Sequence, residues 1–129
     1  MTPSVAWKVW NLIQDARNFR ADLISVDFPR KNSYRHAYWM AITTRAFTPE
    51  LANDVGNMHE DCHRDLTIEG PFDHVTDRIN NTIGIKLAQQ NPTGDIPQMI
   101  EEAWNLRRLA VVRNFRVENG IQTADVHWQ

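Results

Sequence analysis

The chain has 129 residues, with 14 Lys and Arg against 16 Asp and Glu and a formal charge of −2; its pI is near 6.2. That balance argues against a dedicated nucleic-acid binder, which carries a basic excess. An apolar fraction of 42%, with five Trp and five Phe, argues against global disorder. The length suits one globular domain, residues 1–129. The single cysteine, Cys62, excludes a disulfide within the chain and fits a reducing compartment. No apolar run approaches the ~18 residues of a transmembrane helix. The start, MTPSVAWKVWNLIQDARNF, lacks the basic, apolar and small-residue segments of a Sec signal. A cytoplasmic location as synthesised is therefore expected, and export by a dedicated non-Sec route stays open. Arg107, Arg108, Arg113 and Arg116 form a loose basic stretch that reads as a solvated face.

Helical spacing of Val5, Val9, Leu12, Ile13, Ala16, Phe19 and Leu23 predicts an amphipathic first helix over residues 4–25, ended by Asp27-Phe28-Pro29. Asn32 or Ser33 is expected to cap a second helix from Tyr34 to Phe47. Thr48-Pro49 is a strong restart signal for a third, with Leu51, Val55, Met58 and Cys62 as its apolar face. A turn follows at residues 68–73, and Asp73 is expected to cap a fourth helix to about Gln90. Its core stripe reads Val75, Ile79, Ile83 and Leu87, with Asp77, Asn81, Gly84 and Ala88 beside it. Gly84 in mid-helix costs up to about 1 kcal/mol relative to alanine, which a close backbone approach would offset. Asp95 is expected to cap a short helix from Pro97 to about Arg107. The β-branched run RLAVVRNFRV and Asn119-Gly120 then predict a hairpin. The expected fold is mainly α, a compact bundle of about five helices with a short C-terminal β-hairpin.

His59-Glu60-Asp61-Cys62-His63 spells His-Glu-x-x-His. On a helix, His59 and His63 share a face and can grip one zinc ion, with Glu60 as base for its water. A third ligand would come from Glu69, His74, Asp77 or His36. The segment resembles the zincin metallopeptidases in these five residues only. The longer metzincin pattern needs glycine at 66 and histidine at 69, where this chain has Leu66 and Glu69. Asp61 also breaks the preference for uncharged residues inside the motif.

Three segments carry a second resemblance: Arg35-His36-Ala37-Tyr38-Trp39, Glu50 to Glu60, and Asp77-Arg78-Ile79-Asn80-Asn81-Thr82-Ile83-Gly84. Together they resemble an uncharacterised domain of bacterial secreted and polymorphic toxin-like proteins. That domain pairs an Arg-His-Ala-x-Trp helix with a helix ending in His-Glu and a helix carrying Asp-x-x-Asn-Asn-x-x-Gly. The resemblance implies site residues Arg35, His36, Trp39, His59, Glu60, Asp77, Asn80, Asn81 and Gly84. It leaves out His63, and it often has a histidine where this chain has Ile79. It also implies an immunity or inhibitor protein as a partner.

The residues themselves support one polar site if the second, third and fourth helices pack together. Buried imidazole, carboxylate and amide groups must bond one another or serve a ligand, and they suit general acid–base hydrolysis. Glu60 or His59 would activate water, His36 would be the acid, and Arg35 or Asn81 would hold developing negative charge. Asp77 completes the catalytic set; Arg35, Trp39, Asn80 and Gly84 are the binding set. Each has a plainer role open to it. Trp39 and Cys62 fit a core, Asp77 fits a first-turn dipole partner, and His74 and His127 fit the surface. Three functions follow: a metal-free hydrolase of the toxin or effector type, a zinc hydrolase using His59, His63 and Glu60, or a non-catalytic interaction module with a buried polar network. The substrate is not legible, since phosphate-cradling loop, nucleophile elbow and nucleotide fingerprint are all missing from the sequence.

Overall fold

The computed structural model describes residues 2–63 and 71–128. Its elements in order are α1 (Pro3–Asn18), a 3-10 turn (Ala21–Leu23), α2 (Phe28–Ala46), α3 (Pro49–His63), α4 (Pro71–Gln90), α5 (Ile96–Asn105), β1 (Ala110–Glu118) and β2 (Ile121–Trp128). This is the expected helical body with a small hairpin. Among the described residues, no helix is long and apolar enough to cross a membrane.

Local capping sets most helix starts. Thr2 accepts from Val5 N at 3.3 Å, Thr48 from Leu51 N at 3.0 Å, and Asp95 from Gln98 N at 3.0 Å. Three boundaries differ from expectation. α1 stops at Asn18 rather than at residue 25, because Arg20 turns left-handed (φ 50°) and Phe19 leaves the helix to stack on Tyr38, centroids 4.2 Å apart. The buried Lys31 ammonium collects the carbonyls of Ala16 and Phe19 at that end, where a cation also suits the helix dipole. α2 starts at Phe28, six residues earlier than expected. Asp27, read as a stop, is its cap and accepts from Arg30 N at 3.3 Å, with Pro29 in the tolerant first turn. Asn32 and Ser33 are therefore buried helix residues, not caps. α4 likewise begins at Pro71, so Asp73 lies inside the helix rather than at its cap. Residues 68–70 of the expected turn, with Glu69, lie outside the described residues.

α2 is the central element and packs against α1, α3, α4, α5 and β1, most extensively against α4. One apolar cluster joins Leu23, Tyr34, Ala37, Ala41, Ala88, Ile96, Ile100, Ala103 and Leu109. A second joins Ala16, Trp39, Met40 and Ala52. The strands pair antiparallel, Ala110 opposite Trp128 through Glu118 opposite Ile121, with an irregularity between Arg113 and Arg116. Asn119 and Gly120 both take positive φ (53° and 77°), as a two-residue hairpin turn requires. Arg113, read as part of a solvated face, instead pairs with Asp27 at 2.7 and 3.2 Å and ties β1 to the start of α2.

The buried faces of α3 and α4 are not the expected apolar ones. On α3, Ala52, Gly56 and Glu60 are buried while Met58 is 60% exposed. On α4, Thr76, Asp77, Asn80, Asn81, Gly84 and Ala88 are buried while Val75 is 51% exposed and Ile83 and Leu87 lie at the cluster margin. Close approach is the reason. A Cβ on Gly84 would stand 2.1 Å from Ala37 O, and one on Gly56 would stand 2.9 Å from Met40 Sδ. Small residues let the helix axes come together, and larger side chains rotate to the rim.

Candidate active site

The two close approaches place polar residues face to face. His36 adjoins Ala37 on α2, Asn81 and Asp77 lie one and two turns before Gly84 on α4, and Glu60 lies one turn after Gly56 on α3. His36, Glu60, Asp77 and Asn81 are all buried, at 2, 3, 6 and 6% exposure.

Each of these side chains is held on one side by a hydrogen bond. His36 Nδ1 lies 3.1 Å from Asn81 Oδ1, an acceptor, so Nδ1–H donates to it. Asp77 Oδ1 accepts from Asn32 Nδ2 at 2.9 Å, and Asn32 Oδ1 accepts from Arg35 Nη2 at 2.7 Å. Glu60 Oε2 lies 3.1 Å from His74 Nδ1. His74 Nε2 accepts from Arg78 Nε at 3.0 Å, which leaves the hydrogen of the neutral ring on Nδ1 to be donated to Glu60. Arg78 is itself fixed by Asn57 at 2.9 Å and Asp61 at 2.7 Å.

The other sides are open. His36 Nε2, Glu60 Oε1 and Asn81 Nδ2 are buried and have no hydrogen-bond partner. His36 Nε2 does face Asp77 Oδ2 at 3.2 Å, but off the line a ring N–H needs. His36 Nδ1 is 3.7 Å from Glu60 Oε1. Among the described residues, His36, Glu60 and Asp77 each offer one ligand atom within 4.8 Å of the other two.

Charge is concentrated here. Burial pushes the Glu60 carboxyl up, the charge of Asp77 adds to this, and His36 and Arg78 only partly oppose it, so Glu60 titrates at about 7. Burial disfavours a charged His36 ring, but Asp77 and Glu60 more than offset it, and His36 titrates above its usual range. A carboxyl and an imidazole with shifted protonation, side by side, can move protons near neutral pH.

The structure thus brings together His36, Glu60, Asp77 and Asn81, and places Arg35 one residue behind, through Asn32. His59 stands edge-on to Trp39 at 5.3 Å and tilted to His36 at 6.0 Å. Trp39 is a member of the second apolar cluster. Gly84 is the seam residue. Asn80 points away, giving Nδ2 to Ala110 O and taking Ala110 N, both at 2.8 Å; this anchors β1 instead of serving the site. The His63, Cys62 and His127 side chains lie outside the described residues. His74 is not the surface residue expected but a part-buried partner of Glu60, and Asn32 and Arg78 join the site unannounced. The spacing of His74, Asp77, Arg78 and Asn81 along one helix face was the available signal.

A family model described as a domain of unknown function, DUF6973, matches residues 6–108, from within α1 to just before β1. No curated protein and no solved structure matches the chain. With most of its length covered, the chain belongs to the DUF6973 family.

Proposed function

We propose that this DUF6973 domain is a small hydrolase-like domain of the bacterial toxin or effector type, with water activated at the junction of α2, α3 and α4. The observation that carries the reading is the pair of buried atoms without a hydrogen bond, His36 Nε2 and Glu60 Oε1, the first facing Asp77 Oδ2 at 3.2 Å. Leaving such atoms unsatisfied is destabilising by about 1–3 kcal/mol each, so the arrangement fits a site awaiting a ligand better than a finished core. Glu60 takes the proton of the attacking water, and His36 donates to the leaving group while Asp77 faces its Nε2. Asn81 Nδ2, the open donor, faces the developing negative charge. Arg35, engaged with Asn32, supports this set at one remove. An immunity or inhibitor protein is the partner such a toxin requires.

The test is growth on induced expression, in cytoplasm and in periplasm. Wild type is expected to arrest growth in one of them, and Glu60→Gln and Asn81→Ala to relieve the arrest while still melting cooperatively. Harmless wild type in both compartments overturns the reading. The depth of burial favours one second reading, an interaction module whose polar network specifies the packing of three helices. Under it, the same substitutions change stability and leave growth untouched.

A further inference from the structure

We propose that the junction of α2, α3 and α4 holds one divalent cation, ligated by His36, Glu60 and Asp77. This ligand set differs from the His59-x-x-x-His63 pair, sharing only Glu60 with that motif. Its catalytic meaning rests on the hydrolase reading, and it replaces the proton-transfer roles given there to His36 Nε2 and Glu60 Oε1: with both atoms ligating, the ion itself would acidify the attacking water.

Three observations support the site. The first is the donor set, three buried residues from three helices whose ligand atoms lie within 4.8 Å of one another. Ligands ~2.1 Å from one ion stand roughly 3.0–3.4 Å apart when adjacent. His36 Nε2 and Asp77 Oδ2, at 3.2 Å, already do. The second is the pattern of satisfied and open atoms. His36 keeps Nδ1 on Asn81, Glu60 keeps Oε2 on His74, and Asp77 keeps Oδ1 on Asn32. The atoms left without a hydrogen bond are His36 Nε2 and Glu60 Oε1. Metal-binding histidines and carboxylates are held in this way, by an outer hydrogen bond that fixes orientation and tautomer. The third is charge. Two buried carboxyl groups converge with one imidazole, and a dication compensates them more fully than a single proton does.

One nitrogen and two carboxylates suit a first-row ion such as Zn2+ or Mn2+. Ca2+ prefers six or more oxygens, and Mg2+ seldom takes a protein nitrogen. Three protein ligands leave a position for water.

The test uses the full chain, freed of metal with chelator and titrated calorimetrically with ZnCl2 and, separately, MnCl2, with thermal melts alongside. One ion per chain and a raised Tm are expected for at least one of them. Asp77→Asn and Glu60→Gln should abolish binding, and Asn32→Ala should weaken it about 10–100-fold. His63→Ala should bind as wild type does. No binding of either ion, or binding that survives both ligand substitutions, overturns the site. Loss of binding in His63→Ala overturns it as well, by moving the ion to the His59–His63 pair. Co2+-loaded wild type supplies a readout that needs no variant. The expected spectrum lacks a thiolate charge-transfer band, and such a band would reassign the ion to Cys62. Growth arrest without metal binding sinks the cation and leaves the hydrolase standing. Binding without growth arrest does the reverse.

Discussion

Asn80 and Asn81 are neighbours on one helix, both buried, and they do opposite things. Asn80 has both amide atoms satisfied by the backbone of Ala110, a strand residue 30 positions on. Asn81 gives only its oxygen to His36 and leaves Nδ2 without a partner. The 100° step between successive helix residues sends one toward β1 and the other toward α3. The neighbours of the two asparagines show the same contrast. On the Asn80 side, polar groups are spent on holding elements together: Ser33 Oγ also reaches Ala110 O at 2.6 Å, and Tyr34 reaches Glu101 at 2.7 Å. On the Asn81 side, polar groups converge and stay partly open. A satisfied network is structural, and an incompletely satisfied one keeps hydrogen-bonding capacity that a ligand could use.

The seam that both sides share should be the most sensitive point. Gly84→Ala is expected to destabilise by about 3 kcal/mol, because the new Cβ meets the Ala37 backbone, which cannot rotate aside. Urea unfolding measures this, and a neutral result would mean that α2 and α4 do not approach as closely as described. Asn80→Ala is expected to cost about 2 kcal/mol by the same measurement, since it strands the buried Ala110 N–H. A loss no larger than that of Asn81→Ala would erase the contrast between the two asparagines.

Lys31 tests the structural side by pH. Burial, with Arg35 nearby, lowers its pKa from 10.5 to about 8, against a weaker opposing pull from Asp22. Between those two values the unfolded chain binds more protons than the folded one, so this residue makes stability rise with pH across that window. The slope contribution is at most about 1.4 kcal/mol per pH unit. Comparison of wild type with Lys31→Met from pH 7.5 to about 11 isolates it; equal slopes would mean that Lys31 does not titrate in that range. The smallest stability effect is expected at the site itself. Glu60→Gln removes one of two converging buried carboxyls and should change stability by less than about 1 kcal/mol, with a gain as the expected sign. A loss of 3 kcal/mol or more would mark Glu60 as a structural residue.

Local chemistry made much of this molecule legible in the sequence. Thr48, Asp95 and Asn119-Gly120 act through atoms a few residues away, so their roles do not depend on the rest of the fold. The convergence of His36, Glu60, Asp77 and Asn81 was also readable, because each sits on a helix whose existence the pattern announces. The face that each helix buries was not. Hydropathy favoured Leu51-Val55-Met58 and Val75-Ile79-Ile83-Leu87, yet α3 buries Ala52, Gly56 and Glu60, and α4 buries Asp77, Asn80, Asn81, Gly84 and Ala88. Periodicity records how apolar a face is, whereas helix packing also depends on how small it is. His74 read as surface when it holds Glu60, for the same reason; Asp27 read as a stop when it is a cap, because Pro29 two residues on is compatible with either a helix end or a first turn. The sequence by itself determined the helices, the turn and the inventory of reactive groups. Tertiary structure decided which of those groups are satisfied and which stay open, because a hydrogen bond between residues 45 positions apart exists only once Gly84 has let α4 rest on α2.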